Sequence, residues 1–295
     1  MIARCLLAAF AVILTLAAPA SAKTLEAVAS FTILADVVHQ VGGERVRVAS
    51  LVGPNGDPHA YEPTPDDARR LKAADLVVVS GLGLEGWMDR LITASGYRGK
   101  IVVATTGIHT QSMQEDGKRI TDPHAWNSAL NGIVYVKNIV QALCAVDPDG
   151  ATIYRANGER YIHELQELDI YTRQQIASVP PARRKVLTSH DALSYFGAAY
   201  GVTFLAPLGI STESEASAQG VAKLIRQIKA EQVKAYFFEN SNDPRLVRQI
   251  ANATGAEPGG SLYVEALSPP DGPAPTYAAL FRYNVDALVA AMKKH

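Results

Sequence analysis

Cysteine is almost missing from this chain: Cys5 and Cys144 are the only two in 295 residues. That excludes a disulfide-stapled scaffold and a four-cysteine zinc module. A surplus of either charge is missing as well. Lys+Arg total 28 and Asp+Glu 29, for a formal charge of −1, so nothing in the balance points to nucleic acid as a partner. There is no internal repeat and no low-complexity tract. What remains is an ordinary globular composition, 48% hydrophobic and 19% charged, which rules out wholesale disorder and collagen-like sequence.

Long hydrophobic runs are absent after the first one. Arg4 precedes an apolar stretch from Cys5 to Ala18, followed by Pro19 and the small-x-small pattern Ala20-Ser21-Ala22. This is the pattern of a cleavable secretory signal, 1–22, because the run falls short of the ~20 residues that span a bilayer. Cys5 leaves with the signal and lies ahead of its apolar core, so it is not a lipid-anchor site. The mature chain, 23–295, then keeps Cys144 as its one thiol. It is expected in the periplasm, a monomer with no stable membrane insertion, and no later segment is expected to be apolar enough to span.

Short apolar runs alternate with helical patterns through the mature chain. Leu76–Ser80, Ile101–Ala104, Val186–Thr188, Thr203–Leu205 and Ala235–Phe238 read as buried strands of parallel sheets. Thr64-Pro65-Asp66-Asp67 reads as a helix start, with Thr64 as cap and acids in the first turn. Further helices are expected from Asn127 to Cys144, Ser217 to Ala230, Pro244 to Thr254 and Pro275 to Lys294. The stretch from Pro148 to Val179 has no breaker, and Tyr154, Tyr161, Leu165, Leu168 and Ile176 line one face. The expected fold is α/β: two lobes, 23–147 and 182–295, each with a small mostly parallel sheet flanked by helices, joined by one long helix across 148–181.

Three motifs invite functional readings that fail on inspection. Gly81-Leu82-Gly83-Leu84-Glu85-Gly86 matches a dinucleotide fingerprint, but Thr105 and Thr106 stand where a ribose-binding acid is needed, so it reads as a tight turn. His163-Glu164-Leu165-Gln166-Glu167 lacks the second histidine of a zinc-protease helix. Ser189-His190-Asp191 names the residues of a triad, but chain neighbours do not reach the required geometry.

Histidine carries the remaining signal. Asp57-Pro58-His59-Ala60 and Asp122-Pro123-His124-Ala125 are one tetrapeptide used twice, each after a polar, Gly-containing loop and before an aromatic residue. Proline excludes the preceding Asp from helical backbone and fixes how the His leaves the turn. A third, His190, closes a predicted strand, where open α/β sheets place ligand groups. His39, His109, His163 and His295 lie in helical patterns, a polar loop and the terminus. Neutral imidazole suits zinc and other late first-row ions. Ligands scattered over more than 130 residues need a scaffold folded beforehand, which puts an ion in the cleft. Glu265, ahead of the Pro/Gly-rich loop 268–275, is the candidate fourth ligand; an ordinary surface glutamate is the other reading. Asp57 and Asp122 would support the ligands or fix their loops.

With these residues in view, the whole mature chain resembles the periplasmic metal receptors of zinc and manganese ABC importers, whose lobes are joined by one long helix. The resemblance rests on Asp57-Pro58-His59 with Tyr61-Glu62-Pro63, Gly81–Met88, Asp122–Trp126, Ser189–Ala192 with Tyr195-Phe196, and the last helix from Tyr277 through Asn284. It implies a receptor rather than an enzyme, with metal held by His59, His124 and His190. It also implies an ABC permease and its ATPase as partners. The family's fourth position, often Asp, corresponds to Glu265. Three nitrogens and one carboxylate favour Zn²⁺; Mn²⁺ or Fe²⁺ in the same fold is the alternative. The loop Thr106–Thr121 holds only His109, Glu115 and Asp116, fewer than the His-rich loop common in zinc receptors. A zinc metallohydrolase and a metal-binding adhesin stand as further readings.

Overall fold

The computed structural model describes residues 24–115, 118–213 and 215–294. The expected signal segment 1–22, Asp116 and His295 lie outside the described residues. The first half runs β1 (Leu25–Ala29), α1 (Thr32–Gly42), β2 (Val46–Ser50), α2 (Pro65–Ala73), β3 (Leu76–Val79), α3 (Met88–Ser95), β4 (Lys100–Val103), β5 (Ser112–Glu115), β6 (Lys118–Thr121) and α4 (Ala129–Val146). Then come α5 (Ala151–Ala177), β7 (Lys185–Leu187), α6 (Ser194–Tyr200), β8 (Thr203–Leu205), α7 (Ala218–Ala230), β9 (Ala235–Glu239), α8 (Arg245–Thr254), β10 (Glu257–Leu262) and α9 (Tyr277–Lys294).

Two four-stranded parallel sheets result, in the orders β2-β1-β3-β4 and β10-β9-β7-β8. Read from each sheet's own first strand, both follow the order 2-1-3-4. The fold is therefore the expected two-lobed α/β arrangement, and its halves share one topology without sharing a sequence repeat. Strands β1 and β3 are almost wholly buried, because helices cover both faces of a parallel sheet. A separate antiparallel hairpin, β5–β6, closes the loop ahead of Asp122.

Helix α2 begins as the chemistry of Thr64 dictates. Its hydroxyl accepts from the Asp67 N–H, and Asp67 accepts in return from the Thr64 N–H at 2.7 Å. Asn127, expected to cap α4, does not. It sits in a 3₁₀ turn with Ser128 at the cap position, and its amide donates instead to the Ala192 carbonyl at 2.9 Å. One expectation about membranes is also corrected: α4 is, by length and composition, apolar enough to cross a bilayer. It packs as a core helix, with Ala129, Ile133, Val136, Ile139 and Leu143 buried.

The long helix α5 has 27 residues, about 40 Å at 1.5 Å per residue. Tyr154, Tyr161, Leu165, Leu168 and Ile176 are all buried, so it packs along its length and is more than a strut. Its contacts lie with α1, α4 and α9. Gly158 is what lets α4 approach: a Cβ there would meet Val140 Cγ2 at 2.4 Å. Valine is stiff about χ1, so relieving the contact means shifting the side chain off its rotamer or moving the helix. Overpacking of about 1–3 kcal/mol outweighs the roughly 0.5–1 kcal/mol of helix propensity gained from alanine. Gly158→Ala is expected to lower stability by about 1 kcal/mol in urea melts of the metal-free chain, by that difference; an increase would mean the helices have room to spare.

One hydrophobic core crosses the seam between the sheets, from Leu25 to Met292, and a smaller one lies among Leu187, Leu205, Leu224, Ile228, Val247 and Ile250. Hydrogen bonds cross the seam as well. Leu267 N–H donates to Thr32 Oγ1 at 2.9 Å, and Tyr195 Oη donates to the Asp122 carbonyl at 3.0 Å.

Candidate metal centre

In open α/β sheets, ligand groups gather beyond the carboxyl ends of the strands. His59 lies in the loop after β2, His190 past β7 and Glu265 past β10, while His124 lies in the long connection after β4, just past the separate hairpin β5–β6. The strand expected over Val186–Thr188 runs Lys185–Leu187; His190 makes an isolated bridge to Leu208. The four residues share a single pocket, and one ligand atom from each lies within 4.8 Å of every other. Glu265 Oε1 is 2.9 Å from His59 Nε2, 3.3 Å from His124 Nε2 and 3.3 Å from His190 Nε2. The His59 and His124 Nε2 atoms are 3.0 Å apart. His59 is 7% exposed and the other three are 0% exposed, so the pocket meets solvent at His59.

Each duplicated tetrapeptide folds as its proline predicts. Asp57 Oδ1 accepts from the His59 N–H at 2.8 Å, and Asp122 Oδ1 accepts from the His124 N–H at 2.9 Å. The two acids then diverge. Asp57 turns its other oxygen to the Thr212 hydroxyl, 2.6 Å away, and acts as a loop fastener. Asp122 also holds His124 Nδ1 at 2.8 Å. Trp126, fully buried, donates to the Val264 carbonyl at 2.8 Å, fastening the second tetrapeptide to the residue beside Glu265.

Sequence reading missed Glu239. It ends β9, is buried, and accepts from the Ser189 and His190 N–H groups at 2.9 and 3.1 Å. Its Oε2 also meets His190 Nδ1. Asp122 and Glu239 thus do the same for two imidazoles: each engages Nδ1 and turns Nε2 into the pocket, the arrangement that orients histidine for a metal. His190 Nε2 is buried and, for all its closeness to Glu265, makes no hydrogen bond.

The electrostatics follow from this crowding. Burial disfavours a charged His190, but Glu239 and Glu265 outweigh it and hold its pKa well above the ordinary 6.5. His124 rises for the same reason, through Asp122 and Glu265 against burial. Burial alone would keep Glu265 neutral; the imidazoles hold its pKa well below the ordinary 4.5.

The other histidines among the described residues do not join. His39, His109 and His163 are exposed, and His163 pairs with Glu167 at 3.6 Å on the outer face of α5. The glycine motif is a turn with positive φ at Gly81, Leu82 and Gly83, and half-buried Glu85 fastens it through the Ser80 and Gly81 N–H groups.

Comparison with known proteins agrees with this geometry. Residues 27–291 match the family described as zinc-uptake complex component A, periplasmic. The manganese-binding lipoprotein MntA of Halalkalibacterium halodurans is 33% identical, covering 92% of this chain and 89% of that protein. The iron-binding protein YfeA of Yersinia pestis is 32% identical, covering 91% and 86%. Among solved structures, the periplasmic zinc binding protein TroA of Treponema pallidum superposes with a TM-score of 0.86 at 29% identity, covering 91% of this chain and 99% of that one. A Mn-bound periplasmic metal binding protein from Candidatus Liberibacter asiaticus gives 0.82 at 32% identity, with the same coverage. Members of this family are solute-binding proteins of ABC transporters, not enzymes, which sets the metallohydrolase reading aside. The chain belongs to the zinc-uptake complex component A family of periplasmic metal-binding receptors.

Proposed function

We propose that this chain captures Zn²⁺ between its two lobes and delivers it to an ABC permease driven by an ATPase. His59, His124, His190 and Glu265 hold the ion. The observation that carries the reading is the convergence of four buried ligand atoms within 4.8 Å, from segments spread over 206 positions of sequence. Three imidazoles and one carboxylate suit four-coordinate zinc, and the affinity order places Zn²⁺ above Mn²⁺ and Fe²⁺ at such nitrogen-rich sites. A Mn²⁺ or Fe²⁺ receptor is the second reading, favoured by the manganese- and iron-binding names of similar proteins.

The lobes are 23–147 and 182–295, with 148–181 between them. The continuous core and the packed length of α5 limit closure to small movements around the site. The receptor works as a monomer, free in the periplasm after cleavage at Ala22. Similar proteins are named lipoproteins; here Cys5 is the first residue of the apolar run, ahead of its core, and the next cysteine is Cys144.

Competitive titration of the metal-free protein tests the choice of ion. One equivalent of Zn²⁺ is expected to bind, at least about tenfold tighter than Mn²⁺, and to raise the melting temperature in proportion to the logarithm of its concentration. Tighter Mn²⁺ binding would make the second reading the right one.

A further inference from the structure

Glu265 shows two different faces. Its Oε1 makes the contacts to the imidazole nitrogens, while Oε2 accepts from the Ser241 hydroxyl at 3.2 Å. Ser241 lies in the turn that follows β9, and that turn is stitched to the segment carrying Glu265. Asn240 N–H donates to the Leu262 carbonyl at 3.0 Å, and its side-chain amide to the Ala266 carbonyl at 3.1 Å. Trp126 grips the Val264 carbonyl from the other side. The glutamate backbone is therefore held on two sides, and the hydroxyl stands at a fixed position behind its outer oxygen.

The consequence concerns coordination number. A carboxylate offers a metal one oxygen or two. An outer oxygen engaged by a hydroxyl leaves one, for four protein donors in all. Zinc is satisfied by four; Mn²⁺ prefers six and more oxygen. With three of the four ligands 0% exposed, solvent has little room to supply the rest.

Resting on the metal-receptor reading above, we propose that Ser241 is a selectivity residue. Its hydrogen bond keeps Glu265 a one-oxygen ligand and so disfavours ions that need five or six donors. Ser241 touches the ligand and not the ion, so it acts by positioning.

Co²⁺ is the probe, since four-coordinate Co²⁺ absorbs strongly in the visible and six-coordinate Co²⁺ weakly. The wild-type chain is expected to give the strong bands. Ser241→Ala is expected to weaken them, because the freed oxygen can turn inward. The same change should lower the ratio of Zn²⁺ to Mn²⁺ affinity by about tenfold, in the range of outer hydrogen-bond losses at metal sites. Ser241→Thr, which keeps the hydroxyl, should retain both. Weak bands in the wild-type chain, or an unchanged affinity ratio in Ser241→Ala, would overturn the proposal while leaving the receptor reading intact. Failure of the wild-type chain to take up either Co²⁺ or Zn²⁺ would overturn the receptor reading itself.

Discussion

Replacing His190 by alanine is expected to weaken zinc binding by a hundredfold or more, while replacing His109 changes nothing. Zinc sites of four protein ligands are worth about 10–16 kcal/mol, so one ligand accounts for about 3 kcal/mol, or roughly a hundredfold. His190 stands above that average because its imidazole is already oriented. Glu239 holds Nδ1, and buried Nε2 is turned toward Glu265 Oε1, 3.3 Å away, where the ion would sit. His109 lies exposed in the loop ahead of β5, away from the cluster. Competition against a chromophoric zinc chelator measures both variants on one scale. Removing His190 also takes the imidazole from Glu239, which keeps only its backbone donors and the Asn242 amide; losing that charge partner destabilises the metal-free fold, so circular dichroism must first show both variants folded. Equal affinities for the two folded variants would mean that the ion is held elsewhere.

How visible this site is in the sequence differs from residue to residue, and the differences have physical causes. His59 and His124 announce themselves because proline makes each turn local: the tetrapeptide dictates its own geometry, and the Asp-to-backbone bonds appear in both copies. Glu265 has no such local frame. What places it is Asn240 from one side and Trp126 from the other, contacts that join residues far apart in sequence, so its position ahead of a Pro/Gly-rich loop left a surface glutamate equally open until the family resemblance was weighed. Glu239 went unread although a signal existed. It is an acid ending the buried apolar run Ala235–Phe238, at the carboxyl end of a strand beside β7, where polar residues tend to serve ligands.

The strands divide along the same line. Those covered on both faces read as unbroken apolar runs, as β3 does. Strand β2 is an edge strand and half-exposed, and β1 opens with Leu25-Glu26-Ala27, so neither carries that signal. Strand β10, Glu257–Leu262, contains Pro258, Gly259 and Gly260, a composition that argues against a strand. It pairs with β9 because it lies at an edge and shifts register between Pro258 and Gly260, where Gly260 takes φ 115°. Helix α4 errs in the opposite sense: its hydropathy suits a bilayer, and only its burial between α1 and α5 explains the apolar excess.

Zinc affinity is expected to fall as pH drops, and the stability of the metal-free and zinc-loaded forms to run in opposite directions with pH. Only neutral imidazole coordinates a metal. In the metal-free chain, carboxylate neighbours outweigh burial and keep the pKa values of His190 and His124 above 6.5, so near neutrality an incoming ion displaces protons. Each proton displaced makes affinity change by about tenfold per pH unit. The stability contributions have definite signs. The raised histidine values stabilise the metal-free fold fully below the unfolded value of 6.5, and that contribution is lost as pH rises through the folded values. The depressed value of Glu265 stabilises above 4.5 and is lost as pH falls through its folded value. From pH 6.5 upward the metal-free chain should therefore lose melting temperature, while the chain in excess zinc holds or gains it as proton competition fades. Melts in chelator and in zinc across this window test the divergence, and calorimetric titration in buffers of different ionisation enthalpy counts the protons released. Parallel melting profiles, or heats indifferent to buffer, would mean that the imidazoles are already neutral before metal arrives.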